Sequence, residues 1–198
     1  MTINVHARAH VERLVAPVGR GLADIGLSAN VITAAGVVLT AAAAGLVVVD
    51  RVVIAALVLL VGSLADAFDG PVARARGTSS PAGGFYDSVA DRVGDGLVIG
   101  AIAWHYADEP LLFAVSMTAL VAAQLTSYIR AKGESLDVEC SVGLLERGER
   151  AFILIGGLLV TWLLPYAMWI LAVGGLITVV QRFVHVGRRL SGPGVAQP

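Results

Sequence analysis

The chain alternates long apolar segments with short polar connections, a pattern that predicts membrane-spanning helices. The apolar segments cover residues 30–49, 52–67, 85–106, 111–128, 151–164 and 168–186. A helix rises about 1.5 Å per residue and needs roughly 20 apolar residues to cross the hydrocarbon core of a bilayer. Six transmembrane helices are therefore expected, and the sequence Pro-Ala-Gly-Gly at residues 81–84 is expected to break the helical pattern before the third.

Residues 1–27 follow a different pattern. Apolar side chains recur there every three or four residues, at Val11, Leu14, Val15, Val18, Leu22 and Ile25. Charged residues occupy the other faces, which is typical of an amphipathic helix lying in the membrane interface. No internal repeat or linker divides the chain, so residues 1–198 are interpreted as one domain with a six-helix core at about 30–186.

Composition agrees with an all-α integral membrane protein. Apolar residues make up 57% of the chain and charged residues 15%, with a mean hydropathy of +0.79. A soluble domain carries about 25% charged residues, so a large domain outside the membrane is excluded. Cys140 is the only cysteine, which excludes an intrachain disulfide and a thiolate metal cluster.

The distribution of cations predicts the orientation in the membrane. Arg51 alone lies in the connections on one side, and the other side receives Arg8, Arg13, Arg20, Arg74, Arg76, Arg130, Lys132, Arg147, Arg150, Arg182, Arg188 and Arg189. Because cytoplasmic connections are enriched in Lys and Arg, both termini are expected in the cytoplasm of a multi-pass cell-membrane protein. Trp and Tyr residues cluster near the opposite ends, as an interfacial aromatic belt does.

Five of the nine aspartates fall in one 30-residue window, at Asp66, Asp69, Asp87, Asp91 and Asp95. An aspartate near the bilayer centre costs roughly 2.5–3.5 kcal/mol on insertion scales, so this density requires compensating charge. The first two are spaced i,i+3 and the next two i,i+4, and each pair therefore shares one helix face. Antiparallel second and third helices would bring both pairs together on the cytoplasmic side.

Converging carboxylates of this kind suit hard divalent cations with oxygen ligands, such as Mg²⁺ or Mn²⁺, which leave coordination positions for phosphate oxygens. Two ions could fit. Alternatively, the aspartates cap helix ends or pair with Arg74, Arg76 and Arg92. Small residues in the same window, Gly70, Ala73 and Gly83, serve either close helix packing or a slot for a flat ligand such as a nucleobase. Arg74 could place positive charge on a phosphate.

The same residues carry a resemblance to a known family. The string Asp66-x₂-Asp69-Gly70-x₂-Ala73-Arg74-x₈-Gly83-x₃-Asp87-x₃-Asp91 matches in full the signature of the CDP-alcohol phosphotransferases. Members of that family are six-span membrane enzymes, usually homodimers, that displace CMP from a CDP-linked lipid or alcohol. The resemblance implies that Asp66, Asp69, Asp87 and Asp91 ligate two divalent cations, and that Asp91 is also the catalytic general base.

The resemblance further implies a CDP pocket, formed by Asn30, Thr33, Asp66, Asp69, Gly70, Ala73, Arg74 and Gly83. Asn30 has an alternative interpretation as the N-cap of the first helix.

The rest of the chain is similar to the phosphatidylinositol phosphate synthases of actinobacteria, in the segments 127–134 and 143–150 and at residues 181–182. In those enzymes basic residues at these positions bind the phosphate of inositol 1-phosphate, which here implies Arg130, Lys132, Arg147, Arg150 and Arg182. Forked guanidinium groups at the cytoplasmic helix ends also suit a phosphate on chemical grounds. Alternatively, these residues are positive-inside charges paired with Glu134, Glu146 and Glu149.

The resulting hypothesis is an enzyme of phospholipid biosynthesis that transfers a phosphatidyl group from CDP-diacylglycerol to inositol 1-phosphate. The expected partners are these two substrates, membrane lipid and a second copy of the chain, with no nucleic acid. One alternative is a phosphatidylglycerophosphate synthase, which differs only in using glycerol 3-phosphate. Others are a membrane prenyltransferase, which typically has more spans, and a divalent-cation transporter, which would not require the glycines and the arginine of the signature.

Overall fold

The computed structural model describes residues 17–78 and 80–191, which form helices joined by short connections. The helices are α1 (Ala29–Val48), α2 (Val52–Ala75), α3 (Pro81–His105), α4 (Pro110–Glu134), α5 (Arg147–Leu159), a 3₁₀ turn (Thr161–Leu163) and α6 (Leu164–Leu190). Residues 17–24 are also helical, and no strand occurs within the described ranges. The predicted all-helical architecture is confirmed.

Four segments are long and apolar enough to cross a membrane: α1, α2, α4 and the segment Thr161–Leu190 that joins the 3₁₀ turn to α6. Their outward faces carry exposed large apolar side chains, including Val38, Leu57, Val121 and Val180, as a lipid-facing surface requires. Helix α3 has 25 residues but carries several charged side chains, and α5 has only 13 residues. The structure therefore has the character of a multi-pass membrane protein.

The six helices pack in a closed ring in the order α1, α2, α5, α6, α4, α3, and α3 closes the ring against α1. Helices α2 and α3 both pack against α1, on opposite sides of it. They therefore face each other across the interior of the ring and are not neighbours in it. The apolar core, which includes Val47, Ala56, Ile102, Leu158 and Met168, lies in the half of the bundle away from the aspartates. The interior of the ring is therefore filled by apolar side chains at one end and contains polar side chains at the other.

Several helix boundaries differ from the sequence-based expectation. The break expected at residues 81–84 is wrong, because α3 begins at Pro81 and Ser80 caps it by accepting a hydrogen bond from the Gly83 backbone at 3.1 Å. Proline is well suited to the first helical position, where its missing N–H has no partner to lose. Helix α2 continues through Pro71 to Ala75.

Helix α5 begins at Arg147, four residues before the predicted start, because a capping box between Glu146 and Glu149 initiates it. At the start of α1 the N-cap is Ser28, not Asn30. Asn30 therefore lies inside the first turn, and its interpretation as an N-cap is wrong.

The N-terminal helical segment is attached to the end of α2. The Arg76 Nη1 atom donates hydrogen bonds to the carbonyls of Gly26 at 2.9 Å and Leu27 at 2.8 Å. These bonds hold the connection into α1 beside the polar end of the ring. The predicted interfacial helix at residues 1–27 is described only from residue 17 onward, and its earlier part lies outside the described residues.

Candidate functional site

Three carboxylates come together where α2 and α3 face each other. Asp66, Asp69 and Asp87 each place one oxygen within 4.8 Å of the other two, and all three side chains are partly buried. The first two lie on one face of α2 because they are spaced i,i+3. The third lies in the second turn of α3, which the helix start at Pro81 brings into position.

Asp91, one turn further along α3, is connected to this cluster through an arginine of α5. Arg147 places Nη1 at 2.7 Å from Asp66 Oδ2 and Nη2 at 2.6 Å from Asp91 Oδ1. The second contact is an ion pair that is not aligned as a hydrogen bond, and the buried Asp91 Oδ1 accepts no hydrogen bond from the described residues. Sequence reasoning did not foresee this pairing, because it assigned Arg147 to the acceptor phosphate.

Two of the three arginines proposed as alternative partners for the aspartates donate hydrogen bonds to backbone carbonyls. Arg76 holds the connection before α1, and Arg92 donates to the backbone carbonyl of Ser88 in its own helix. Arg147 and Arg150 of α5 form ion pairs with aspartates of α2 and α3.

Thr33 orients one of the clustered carboxylates from α1. Its hydroxyl donates a hydrogen bond to Asp69 Oδ2 at 2.8 Å. A hydrogen bond to a charged group is stronger than one between neutral groups, so this contact fixes the direction of the Asp69 carboxylate. It also links α1 to α2 at the polar end.

A first cavity of about 430 Å³ opens beside the carboxylates between the start of α1, the end of α2 and the start of α3. Of the residues that the signature assigned to CDP, its wall contains Asn30, Thr33, Asp69, Gly70, Ala73, Arg74 and Gly83. Asp66 belongs to the carboxylate cluster but is not in this wall. Gly70 lies close to the arginine of the same wall, since a Cβ on Gly70 would lie 3.4 Å from Arg74 Nη1.

A second cavity of about 1020 Å³ lies on the other side of Asp91, toward α4, α5 and α6. Four of the five predicted acceptor-binding cations line it, namely Arg130, Arg147, Arg150 and Arg182, together with the carboxylates of Asp91 and Asp95. Lys132 is exposed and lies outside the cavity wall. Four of the five cations assigned to the acceptor phosphate therefore share one cavity, and their role in phosphate binding stays a prediction.

Each of these four arginines also has a partner within the protein. Arg130 pairs with Glu134 at 2.8 Å, and Arg150 with Asp95 at 2.7 Å. Arg182 is buried and donates to the carbonyls of Val142 at 2.8 Å and Thr126 at 2.9 Å. The protein thus holds the guanidinium groups in place around the second cavity.

A residue that sequence reasoning missed supports the connection between α4 and α5. The Thr178 hydroxyl on α6 accepts hydrogen bonds from the backbone N–H groups of Leu144 at 3.2 Å and Leu145 at 3.0 Å. Gly143, beside them, has φ +144, and a Cβ there would approach Thr178 Cγ2 to 2.6 Å. These contacts position the residues that start α5. A lone threonine in an apolar helix gives no sequence signal for such a role.

Comparisons with known proteins identify the family of the chain. The family model of CDP-alcohol phosphatidyltransferase matches residues 27–180, and the chain belongs to this family. Among curated relatives, the phosphatidylinositol phosphate synthase of Corynebacterium glutamicum is 34% identical over 196 residues, which cover 94% of this chain and 90% of that protein. The archaetidylinositol phosphate synthase of Methanothermobacter thermautotrophicus is 33% identical over 189 residues, which cover 92% and 93%.

Solved structures of phosphatidylinositol phosphate synthases have a fold similar to that of this chain. The crystal structure of Mycobacterium tuberculosis phosphatidylinositol phosphate synthase with CDP-DAG bound has a TM-score of 0.83 and 32% sequence identity, covering 94% of this chain and 98% of that one. A structure of the same synthase in complex with manganese and citrate has a TM-score of 0.83 and 31% identity, covering 93% of both chains.

Proposed function

We propose that this protein transfers a phosphatidyl group from CDP-diacylglycerol to the hydroxyl of inositol 1-phosphate, giving phosphatidylinositol phosphate and CMP. One observation carries the proposal. Asp87 lines the cavity that contains the CDP signature residues, and Asp91, one turn along α3, lines the arginine-rich cavity. A nucleotide-linked phosphate in the first cavity and a phosphorylated alcohol in the second would therefore meet at these carboxylates. The names of the relatives agree with these two substrates.

The carboxylates fit two divalent cations, Mg²⁺ or Mn²⁺. Asp66, Asp69 and Asp87 offer only oxygen ligands within 4.8 Å, which is the donor set that these hard ions prefer. The buried Asp91 Oδ1, which lacks a hydrogen-bond donor, could complete the ligand set. When bound, the cations would neutralise charge on the diphosphate.

The side chains of the first cavity would bind the CDP group. Gly70, Ala73 and Gly83 leave room for the flat base, and Arg74 supplies positive charge for the diphosphate. Asn30 and Thr33 would contact the nucleotide from the start of α1. Thr33 would have a second role, since its hydroxyl already orients the Asp69 carboxylate.

In the second cavity the cations would hold the acceptor by its phosphate, which leaves the attacking hydroxyl near Asp91. The proposed phosphate-binding residues are Arg130, Arg147, Arg150 and Arg182 of the cavity wall, together with Lys132 outside it. Asp91 would take the proton of that hydroxyl as it forms the new phosphorus–oxygen bond, while the bond to the CMP oxygen breaks. Asp91 is partly buried and lines the second cavity one helical turn from Asp87, which lines the first.

We further propose that the chain is one domain with six membrane spans and forms homodimers. Helix α3 has 25 residues, about 37 Å at 1.5 Å per residue, and it would cross with its charged residues directed to the interior. Helix α5 would form the remaining crossing. Trp104 and Trp162 are 65% and 70% exposed near the ends opposite the aspartates, which supports a cytoplasmic active site with both termini on the same side.

In the decisive experiment, the purified protein is incubated with CDP-diacylglycerol and either labelled inositol 1-phosphate or labelled glycerol 3-phosphate. The two acceptors are used in separate reactions, each with Mg²⁺ or Mn²⁺. We expect a labelled lipid and CMP from inositol 1-phosphate, and no product after chelation with EDTA. Lipid product from glycerol 3-phosphate alone would make the protein a phosphatidylglycerophosphate synthase. Absence of CMP with both acceptors, together with Mn²⁺ uptake into proteoliposomes, would make it a cation transporter.

A further inference from the structure

Two ion pairs, one helical turn apart, connect α3 to α5 across the interior of the ring. Arg147 pairs with Asp91, and Arg150 pairs with Asp95 through Nη2 and Oδ2 at 2.7 Å. The pairs differ in exposure, since the Arg147 side chain is 47% exposed and the Arg150 side chain only 6%. The first pair belongs to the proposed reaction centre, whereas the second lies beyond it.

The Asp95 carboxylate determines the direction of the Arg150 guanidinium. Helices α3 and α5 are not neighbours in the ring, so the arginine extends across the interior to reach its partner. Both residues line the second cavity. Gln124 on α4 donates a hydrogen bond to the Arg92 carbonyl at 3.0 Å, which helps hold this part of α3 in place.

The Arg150 guanidinium has a donor that is not used within the described residues. Its Nε atom is buried and has no hydrogen-bond acceptor among the described residues. A buried donor without an acceptor is unfavourable, so the conformation is suited to an acceptor atom supplied from the cavity. A guanidinium held at one nitrogen can still present its other donors to phosphate oxygens.

We propose that Asp95 is a positioning residue that holds the Arg150 guanidinium in the second cavity, ready to bind the phosphate of the acceptor. This proposal rests on the proposed function. Asp95 is not one of the signature carboxylates, and its ion pair with Arg150 accounts for a fifth aspartate in the window. Without the Asp95 charge, the arginine would lose its buried partner and could turn toward Asp91, away from the phosphate.

The test compares Asp95→Asn with the wild type in detergent-purified, full-length protein. We expect the KM for inositol 1-phosphate to rise about tenfold, corresponding to the loss of one charge-assisted hydrogen bond. The KM for CDP-diacylglycerol and kcat should stay within about twofold. Asp95→Glu keeps the negative charge and should restore a large part of the acceptor affinity.

Asp50→Asn is the matched control. Asp50 pairs with His105 at 2.8 Å at the opposite end of the bundle, and asparagine tolerates its φ of +59. This variant should leave both KM values unchanged while removing an aspartate charge from a side-chain contact of similar length.

Three results would overturn the proposal: an unchanged KM for the acceptor, a fall in kcat alone, or equal rises in both KM values with a lower Tm. A further measurement distinguishes a failure of this proposal from a failure of the proposed function. Calorimetric binding of inorganic phosphate, without CDP-diacylglycerol, should be weaker for Asp95→Asn than for the wild type. If the wild type makes no lipid from inositol 1-phosphate, the proposed function fails, whereas equal phosphate binding by the two proteins would refute the role of Asp95.

Discussion

The contact of Arg147 with two carboxylates leads to a prediction about metal affinity. Its guanidinium lies at 2.7 Å from Asp66 Oδ2 and 2.6 Å from Asp91 Oδ1. A divalent cation that binds these carboxylates must displace the guanidinium or share the oxygens with it. Replacing Arg147 with glutamine removes the competing charge and keeps part of the side-chain length, so it should strengthen cation binding.

The magnitude follows from the two contacts. A buried charge-assisted hydrogen bond contributes about 1.5–3 kcal/mol, but Arg147 is 47% exposed and solvent screening lowers the contribution of such a pair to about 0.5–1 kcal/mol. Two contacts therefore amount to about 1–2 kcal/mol. Since 1.4 kcal/mol corresponds to a factor of ten in an equilibrium constant, the Kd for Mn²⁺ should fall about 5- to 30-fold in Arg147→Gln.

The assay is a Mn²⁺ titration without substrates, with free Mn²⁺ measured by electron paramagnetic resonance. Arg188→Gln is the control, because Arg188 is exposed near the C-terminal end of α6 and its substitution removes the same charge without removing a contact to the carboxylates. The control should change the Kd by less than about twofold, as expected for a distant screened charge. An unchanged or higher Kd for Arg147→Gln would refute the reasoning, as would an equal effect of both variants.

Three further predictions concern catalysis, the nucleotide site and packing. Asp91→Asn should nearly abolish turnover while CDP-diacylglycerol still binds; appreciable turnover in a steady-state CMP-release assay would contradict the assignment of the base. Thr33→Val removes the hydroxyl that orients the Asp69 carboxylate at 2.8 Å, so the KM for CDP-diacylglycerol should rise about fivefold, and an unchanged value would contradict the role of this hydrogen bond. In Gly174→Ala the new Cβ would lie 2.5 Å from a Leu145 side-chain atom, which should destabilise the fold by about 1–3 kcal/mol. Thermal unfolding should therefore show a lower Tm, whereas Gly156→Ala, with open space around the new Cβ, should show no such loss.

The features that could be predicted from the sequence depend on local periodicity. Four apolar segments identify helices that could cross a membrane, because backbone hydrogen bonds in a bilayer must be satisfied within each segment. The spacing of Asp66 and Asp69 places both on one helix face whatever packs against them. Six residues of the signature lie together in the wall of the first cavity, namely Asp69, Gly70, Ala73, Arg74, Gly83 and Asp87. The sequence does not predict the start of α3. Pro81 and the glycines after it indicate a helix break unless Ser80 is identified as the N-cap.

Only the tertiary structure determines which charged side chains form ion pairs. Arg147 and Asp66 are 81 residues apart, and their contact exists because the ring places α5 beside α2 and opposite α3. The same arrangement gives Arg150 its partner Asp95 and directs Arg182 to the backbone of the α4–α5 connection. A sequence can show that arginines and aspartates lie near one end of the membrane. It does not show their pairing, because the energy of an ion pair depends on distance and burial, and the packing of the whole ring determines both.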